Sequence, residues 1–303
     1  MSIWSQAKDL AAQTPDERNR YVDFLRAVSI LMVITGHWLI ATFYYHEGSL
    51  TPADLLAIRP WTQWLTWLFQ VMPIFFIVGG YANAVSLESA RRREIGYAGW
   101  LASRLNRLVT PLLVLLLGWA VLAAILHFSG VGGDVIRLAS RASLVPTWFL
   151  AIYIMVVVLA PATYIAWRRW GFASFWAFAI GAALVDAAFF VADLQWTGWS
   201  NYFWIWLAVH HMGYAWRDGR LGSPARLLTY SALALFVLML LVFNGPYPVA
   251  MAGSPDDAIS NSLPPKVTLL LLGIAQFGLL LAIEKPMRRV LAGVRAWAAT
   301  VLV

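Results

Sequence analysis

The chain has 303 residues, of which 61% are hydrophobic and only 12% charged, with a mean hydropathy of +0.69 and a formal net charge of +7. Soluble domains average about 45–50% apolar and about 25% charged residues, so this composition excludes a water-soluble globular domain and calls for lipid as the solvent. Cysteine is absent, which excludes a disulfide framework, Cys-ligated zinc and a thiol nucleophile.

Residues 1–20 are polar and read as an N-terminal cytoplasmic segment with no cleavable leader. Eight apolar segments follow: Ala27 to Tyr45, Trp61 to Leu87, Leu108 to His127, Ala142 to Trp167, Trp170 to Ala192, Leu194 to Trp216, Leu227 to Pro246, and Val267 to Ile283. A bilayer core of about 30 Å takes roughly 20 apolar residues in a helix, with a range of about 17–25, and each segment meets that. The runs are continuous rather than alternating, so they predict spanning helices and not barrel strands. The fold class is therefore all-α, a polytopic membrane bundle of about eight transmembrane helices. Apolar sequence resumes at Ala296 and stops at Val303, which reads as a truncated ninth helix or a short interfacial tail. Between the seventh and eighth segments, Asn244 to Lys266 is rich in Pro, Gly, Ser and Asp and reads as a turn-rich loop.

Charge sets the orientation. With the N-terminus inside, 18 of the 22 Lys and Arg residues fall on the inner side, and Arg59, Arg137, Arg141 and Lys266 fall outside. That is the positive-inside pattern of a plasma membrane of bacterial type. The basic residues lie in short connections, so the net charge is a topological signal and not a nucleic-acid surface.

Ionisable groups inside a membrane are expensive, and each is a functional hypothesis. Arg26 and His37 are eleven positions apart on the first segment. At about 100° and 1.5 Å per residue they share a face and stand about 16 Å apart, so His37 is expected near the midplane. Asp23 is one turn before Arg26 and is placed to pair with it. A histidine buried there tends to neutrality and suits a general base for a hydroxyl nucleophile; the alternative is a hydrogen bond that glues helices together. In the second segment Pro73, Gly79 and Gly80 suggest a kinked or opened helix, or close packing through small residues. Arg91, Arg92 and Arg93, followed by Arg104 and Arg107 one turn apart, offer guanidinium forks suited to phosphates. The alternative for the Arg91–Arg93 run is plain topological bias. His210 and His211 are adjacent, point about 100° apart and show no metal-ligand spacing. Asp186 is expected to reach the interface from the outer end of its helix.

Several of these elements resemble the acyltransferase 3 family of membrane acyltransferases. Tyr21-Val22-Asp23-Phe24-Leu25-Arg26 matches the family's opening signature, and Arg26 with His37 matches its Arg-x10-His motif. Pro73-Ile74-Phe75-Phe76 leading to Gly80-Tyr81 is similar to its second-helix motif, with Gly79 where a serine is common. Arg104-x-x-Arg107 followed by Pro111 matches a third motif. Trp148-Phe149-Leu150 is similar to a fourth, although Pro146-Thr147 stand where a histidine often precedes it. The resemblance implies that residues 21–303 form a single transmembrane acyltransferase-like domain, incomplete at its C-terminus. It implies transfer of an acyl group, often acetyl, from acyl-CoA to a hydroxyl of a carbohydrate, glycolipid or other acceptor. It assigns His37 as the base, with Arg26 and Asp23 beside it, and Arg104, Arg107 and Arg91 to Arg93 as donor-phosphate ligands, with no metal. The competing reading is a proton-coupled transporter or flippase that uses His37 and Asp186; no internal repeat supports it.

Overall fold

The computed structural model describes Ser5, Asp9 and residues 19–46, 49–144, 147–254 and 257–293. The expected ninth segment, Ala296 to Val303, and nearly all of the N-terminal segment lie outside the described residues.

Ten principal helices account for most of these residues: α1 Arg20–Ile40, α2 Met72–Arg92, α3 Tyr97–Phe128, α4 Gly133–Leu144, α5 Thr147–Trp170, α6 Phe172–Val191, α7 Asn201–Arg217, α8 Pro224–Asn244, α9 Val267–Ala282 and α10 Glu284–Gly293. Six helical stretches among the described residues are long and apolar enough to cross a membrane: α1, Pro60–Arg92, α3, α5, α6 and α8. The other two expected spans, α7 and α9, have 17 and 16 residues. Both are largely buried in the protein, so they meet protein more than lipid.

The first segment departs from expectation. Its helix stops at Ile40, and the chain enters a two-stranded antiparallel hairpin, β1 Ala41–His46 and β2 Ser49–Asp54, with Ala41 opposite Asp54 and His46 opposite Ser49. The run Thr42-Phe43-Tyr44-Tyr45 is made of β-branched and aromatic residues, which favour a strand over a helix. Asp54 then caps the short helix Leu55–Ile58 by accepting from Leu56 N at 2.8 Å.

The second segment is also interrupted, ahead of its proline. A 3-10 turn, Pro60–Leu65, and a short helix, Thr66–Phe69, precede a break at Gln70 and Val71, after which α2 starts with Pro73 in its first turn. Proline is tolerated there because the N–H it lacks has no intrahelical partner. A break at membrane depth needs other partners for the freed carbonyls. Gln276 of α9 supplies them, donating to Trp67 O at 2.8 Å and Gln70 O at 3.3 Å.

The described chain forms two compact units, Met1–Ala82 with Trp170–Val303, and Asn83–Arg169; their boundary falls within α2. In the first unit, Phe76 stacks on Trp206 at 4.3 Å, and Ile77, Ile205, Leu207, Leu238 and Leu269 are likewise sealed from solvent. The paired-glycine motif acts by close packing: a Cβ on Gly80 would lie 2.1 Å from His210 O, and a Cβ on Gly213 would lie 2.0 Å from Ile77 O. Small residues let α2 and α7 cross backbone to backbone. In the second unit, Ala90, Trp100, Val157 and Ala160 form a core. Glu88 accepts from Tyr164 Oη at 2.8 Å and pairs with Arg168 at 3.0 Å.

The loop after α8 is more ordered than its turn-rich sequence predicts. Asn261 is fully buried and donates to Pro248 O at 2.8 Å and Ala250 O at 2.9 Å. Trp67 Nε1 donates to Val249 O at 2.8 Å, and Met251 N donates to Thr66 Oγ1 at 2.8 Å. The loop is thereby fastened to the broken start of the second segment.

Candidate active site

The root of α1 is built from the residues of its opening motif. Tyr21 is buried and donates its hydroxyl to Leu280 O at 2.6 Å, while its ring meets Trp216 edge-on at 6.3 Å. Tyr81, which ends the second motif, lies 4.7 Å from the same tryptophan, and its hydroxyl accepts from Asn19 Nδ2 at 3.1 Å. Trp216 in turn meets Phe277 at 5.4 Å. This aromatic box ties α1, α2, α7 and α9 together at the end where α1 begins. Tyr21 and Tyr81 thus fix the position of α1.

Asp23 and Arg26 form the expected i,i+3 pair at 3.8 Å. The carboxylate is nearly buried and the guanidinium is half exposed. Leu25 and Ala27, to either side of the arginine, are buried, so Arg26 faces away from the core of its unit. His37 lies on the same exposed face, reached through Ile30 and Ile34, while Ser29 is buried. The expectation of a buried His37 is therefore corrected: the ring is exposed. The reason is its register, since Gly36 and not His37 turns inward, against Phe69.

One contact fixes the chemistry of that ring. His37 Nδ1 lies 2.8 Å from Val33 O on its own helix. A carbonyl oxygen only accepts, so Nδ1 carries the proton and the lone pair of the neutral ring sits on Nε2. The basic nitrogen is the one turned away from the helix backbone.

The remaining expected ligands belong to the second unit. Arg104 sits over the Trp100 ring at 5.9 Å, and that indole donates to Ser86 Oγ at 3.0 Å. Arg107, one turn on, is exposed on α3, as are Arg91, Arg92 and Arg93 at the end of α2. Trp148, Phe149 and Leu150 form the first turn of α5; Pro146 lies outside the described residues. Among the described residues, no group of three or more His, Asp or Glu could hold a metal ion.

Asp186 does not reach the interface. It is 2% exposed and accepts three hydrogen bonds: from Asn201 Nδ2 at 2.7 Å, Tyr247 Oη at 3.0 Å and Val267 N at 2.8 Å. Val267 N is one of the first N–H groups of α9, so the carboxylate stabilises the positive end of that helix. Lys266, fully buried beside it, holds Nζ 3.8 Å above the Phe189 ring. Burial pushes the Lys266 amine down, opposed by the Asp186 charge. Burial, and then Asp186, pushes the Tyr247 phenol up. Sequence reading missed this cluster because Tyr247 and Val267 come from far along the chain; the one local signal was Asn201.

His210 and His211 are both sealed in α7. His211 Nδ1 lies 2.7 Å from Leu207 O, the same i−4 arrangement that holds His37.

The acyltransferase 3 family model, described as an acyltransferase domain, matches residues 19–301. No curated protein and no solved structure matches the chain. A match over nearly the whole length, with the motif residues placed on exposed helix faces and at helix roots, makes the chain a member of the acyltransferase 3 family, a membrane protein carrying an acyltransferase domain.

Proposed function

We propose that this protein is a membrane-bound O-acyltransferase that moves an acyl group, in the simplest case acetyl, from acyl-CoA to a hydroxyl of a carbohydrate or glycolipid acceptor. The observation that carries the reading is His37: an exposed imidazole on a spanning helix, its Nδ1 committed to Val33 O at 2.8 Å and its Nε2 therefore basic. A histidine serving as glue would be buried between helices. An accessible one suits proton transfer from an incoming hydroxyl.

In this reading the acceptor oxygen attacks the thioester carbonyl carbon while His37 Nε2 takes the hydroxyl proton. The tetrahedral intermediate collapses, the C–S bond breaks, and the CoA sulfur leaves with the proton returned by the imidazolium. Arg26, steadied by Asp23 at 3.8 Å, adds positive charge on the face of α1 that carries the base. Arg104 and Arg107, with Arg91 to Arg93, bind donor phosphates, for which guanidinium forks are suited. The positive-inside rule puts the N-terminus and these arginines in the cytoplasm, where acyl-CoA is available. The eight-span topology counts α7 and α9 as short spans sheltered by protein. The three donors on Asp186 suit an anchor for α9, so no observation favours the proton-relay transporter.

Donor binding tests the reading without knowledge of the acceptor. Acetyl-CoA at about 100 times its Kd stabilises the folded state by about 2.7 kcal/mol. It should therefore raise the thermal midpoint of the detergent-purified protein, and the rise should vanish in an Arg104→Ala, Arg107→Ala double variant. The absence of a rise with acetyl-CoA and with CoA removes the donor and the proposal with it.

A further inference from the structure

We infer that a groove on the first unit, remote in chemistry from the Arg26–His37 face, binds an anionic, phosphate-headed membrane lipid. The groove has a volume of about 690 Å³ and is lined from α6, α7, α8, α9 and the turn between α7 and α8.

Its polarity is graded along α8. Arg226, Tyr230, Leu233 and Val237 all line it, at spacings of four, three and four residues. Those spacings put them on one helix face, and the eleven steps from Arg226 to Val237 rise about 16 Å. Half of a hydrocarbon core of about 30 Å is about 15 Å, so the strip is long enough to run from headgroup level to the bilayer midplane. Arg220 joins Arg226 at the mouth, which lies at the N-terminal, positive end of α8. Beyond Tyr230 the walls are mainly apolar, with Phe175, Leu271 and Ile274 among them, and His211 of α7 is the further polar residue that lines the groove. Tyr230 and Leu233 are 53% and 59% exposed, so the groove opens sideways, where the bilayer lies. Neighbouring Arg217 is paired with Asp218 at 2.9 Å and does not line the groove.

Topological bias accounts for basic residues in a loop. It does not account for two guanidiniums at one end of an apolar channel one leaflet deep. Basic pockets between spanning helices at this level suit anionic headgroups, and Arg forks bind phosphate bidentately. The Tyr21–Trp216 contact puts the mouth at the end where α1 begins. With the orientation proposed above, the lipid belongs to the cytoplasmic leaflet.

Lipid retention is read without any acyl transfer, so its outcome is separate from that of the proposed activity. The full-length protein is exchanged into detergent with dioleoylphosphatidylglycerol or dioleoylphosphatidylcholine, and bound lipid is counted by native mass spectrometry. The parent should retain one phosphatidylglycerol in preference to phosphatidylcholine. An Arg220→Gln, Arg226→Gln variant should retain it about tenfold less or worse, as expected for losing charge-assisted hydrogen bonds. Leu233→Trp, which crowds the channel and spares the arginines, should also lose it while keeping the parent's thermal midpoint without added lipid. Equal retention of the two lipids, or unchanged retention in either folded variant, overturns the proposal. So does displacement by inorganic phosphate, which would mark a bare anion site, or by acetyl-CoA, which would assign the groove to the donor.

Discussion

Two regions of the first unit hold ionisable side chains on helices long and apolar enough to span, and treat them in opposite ways. At Asp186 the carboxylate is sealed, with three donors around it and a buried lysine alongside. On α1, Arg26 and His37 are exposed, and the only described bond of the histidine ring runs back to its own helix. A buried charge survives in a low-dielectric interior only when its hydrogen bonds are satisfied, and once satisfied it is architecture. An accessible one keeps capacity for a substrate. An ionisable group on a spanning helix therefore does not by itself mark the chemistry; its partners do.

The largest expected effect comes from the open face. His37→Ala should cut acyl transfer, followed as CoA released from acetyl-CoA in the presence of hydroxyl acceptors, by about 100- to 10,000-fold, the range of general-base catalysis. The thermal midpoint should stay near that of the parent, because the lost side chain holds no other element. A variant with intact turnover would end the case for His37 as the base. A variant that fails to insert would place His37 with Asp186 as architecture.

The buried face should respond in stability. Asp186→Ala strands Asn201, Tyr247 and Val267 N in the interior beside Lys266, and losing one partner of such a buried charged cluster costs about 3–5 kcal/mol. Asp186→Asn keeps the shape and one acceptor and should cost less. Thermal unfolding in detergent checks both. If Asp186→Ala melts with the parent and loses transfer instead, the assignments of the two regions exchange.

How much of this was legible in the chain follows from the range of each interaction. The Arg26–His37 face was readable because helical period is local: a separation of eleven residues fixes the angle. That His37 is exposed was not, because periodicity gives a shared face and not which way the face looks; that depended on Gly36 packing against Phe69. The spans were legible in outline from apolar length. The end of α1 was not, because the strand preference of Thr42 to Tyr45 is weak inside a longer apolar run and is decided only by its partner, β2. Two of the three partners of Asp186 come from a loop and a helix start 61 and 81 residues away, beyond any pattern rule. Gly80 was visible in the sequence, and only the structure pairs it with Gly213.

Lys266 separates a charge that is needed from one that is tolerated. Burial lowers the Lys266 amine from its ordinary 10.5, and the Asp186 charge only partly opposes this. The folded protein therefore holds this proton less tightly than the unfolded chain does. Stability should rise with pH from the folded value up to 10.5, with a slope of at most about 1.4 kcal/mol per pH unit. Tyr247 acts in the opposite sense. Its phenol is raised above 10.0, so it contributes stability that is lost only as pH climbs past 10.0. Melting curves taken between neutrality and about pH 10 therefore isolate the lysine. Lys266→Met keeps the bulk over Phe189, should change the neutral-pH stability by less than about 1 kcal/mol, and should flatten the alkaline rise. A loss as large as that of Asp186→Ala would mean that the lysine charge is a required partner of the carboxylate, and that the sealed region is held together by an ion pair and not by the three neutral donors.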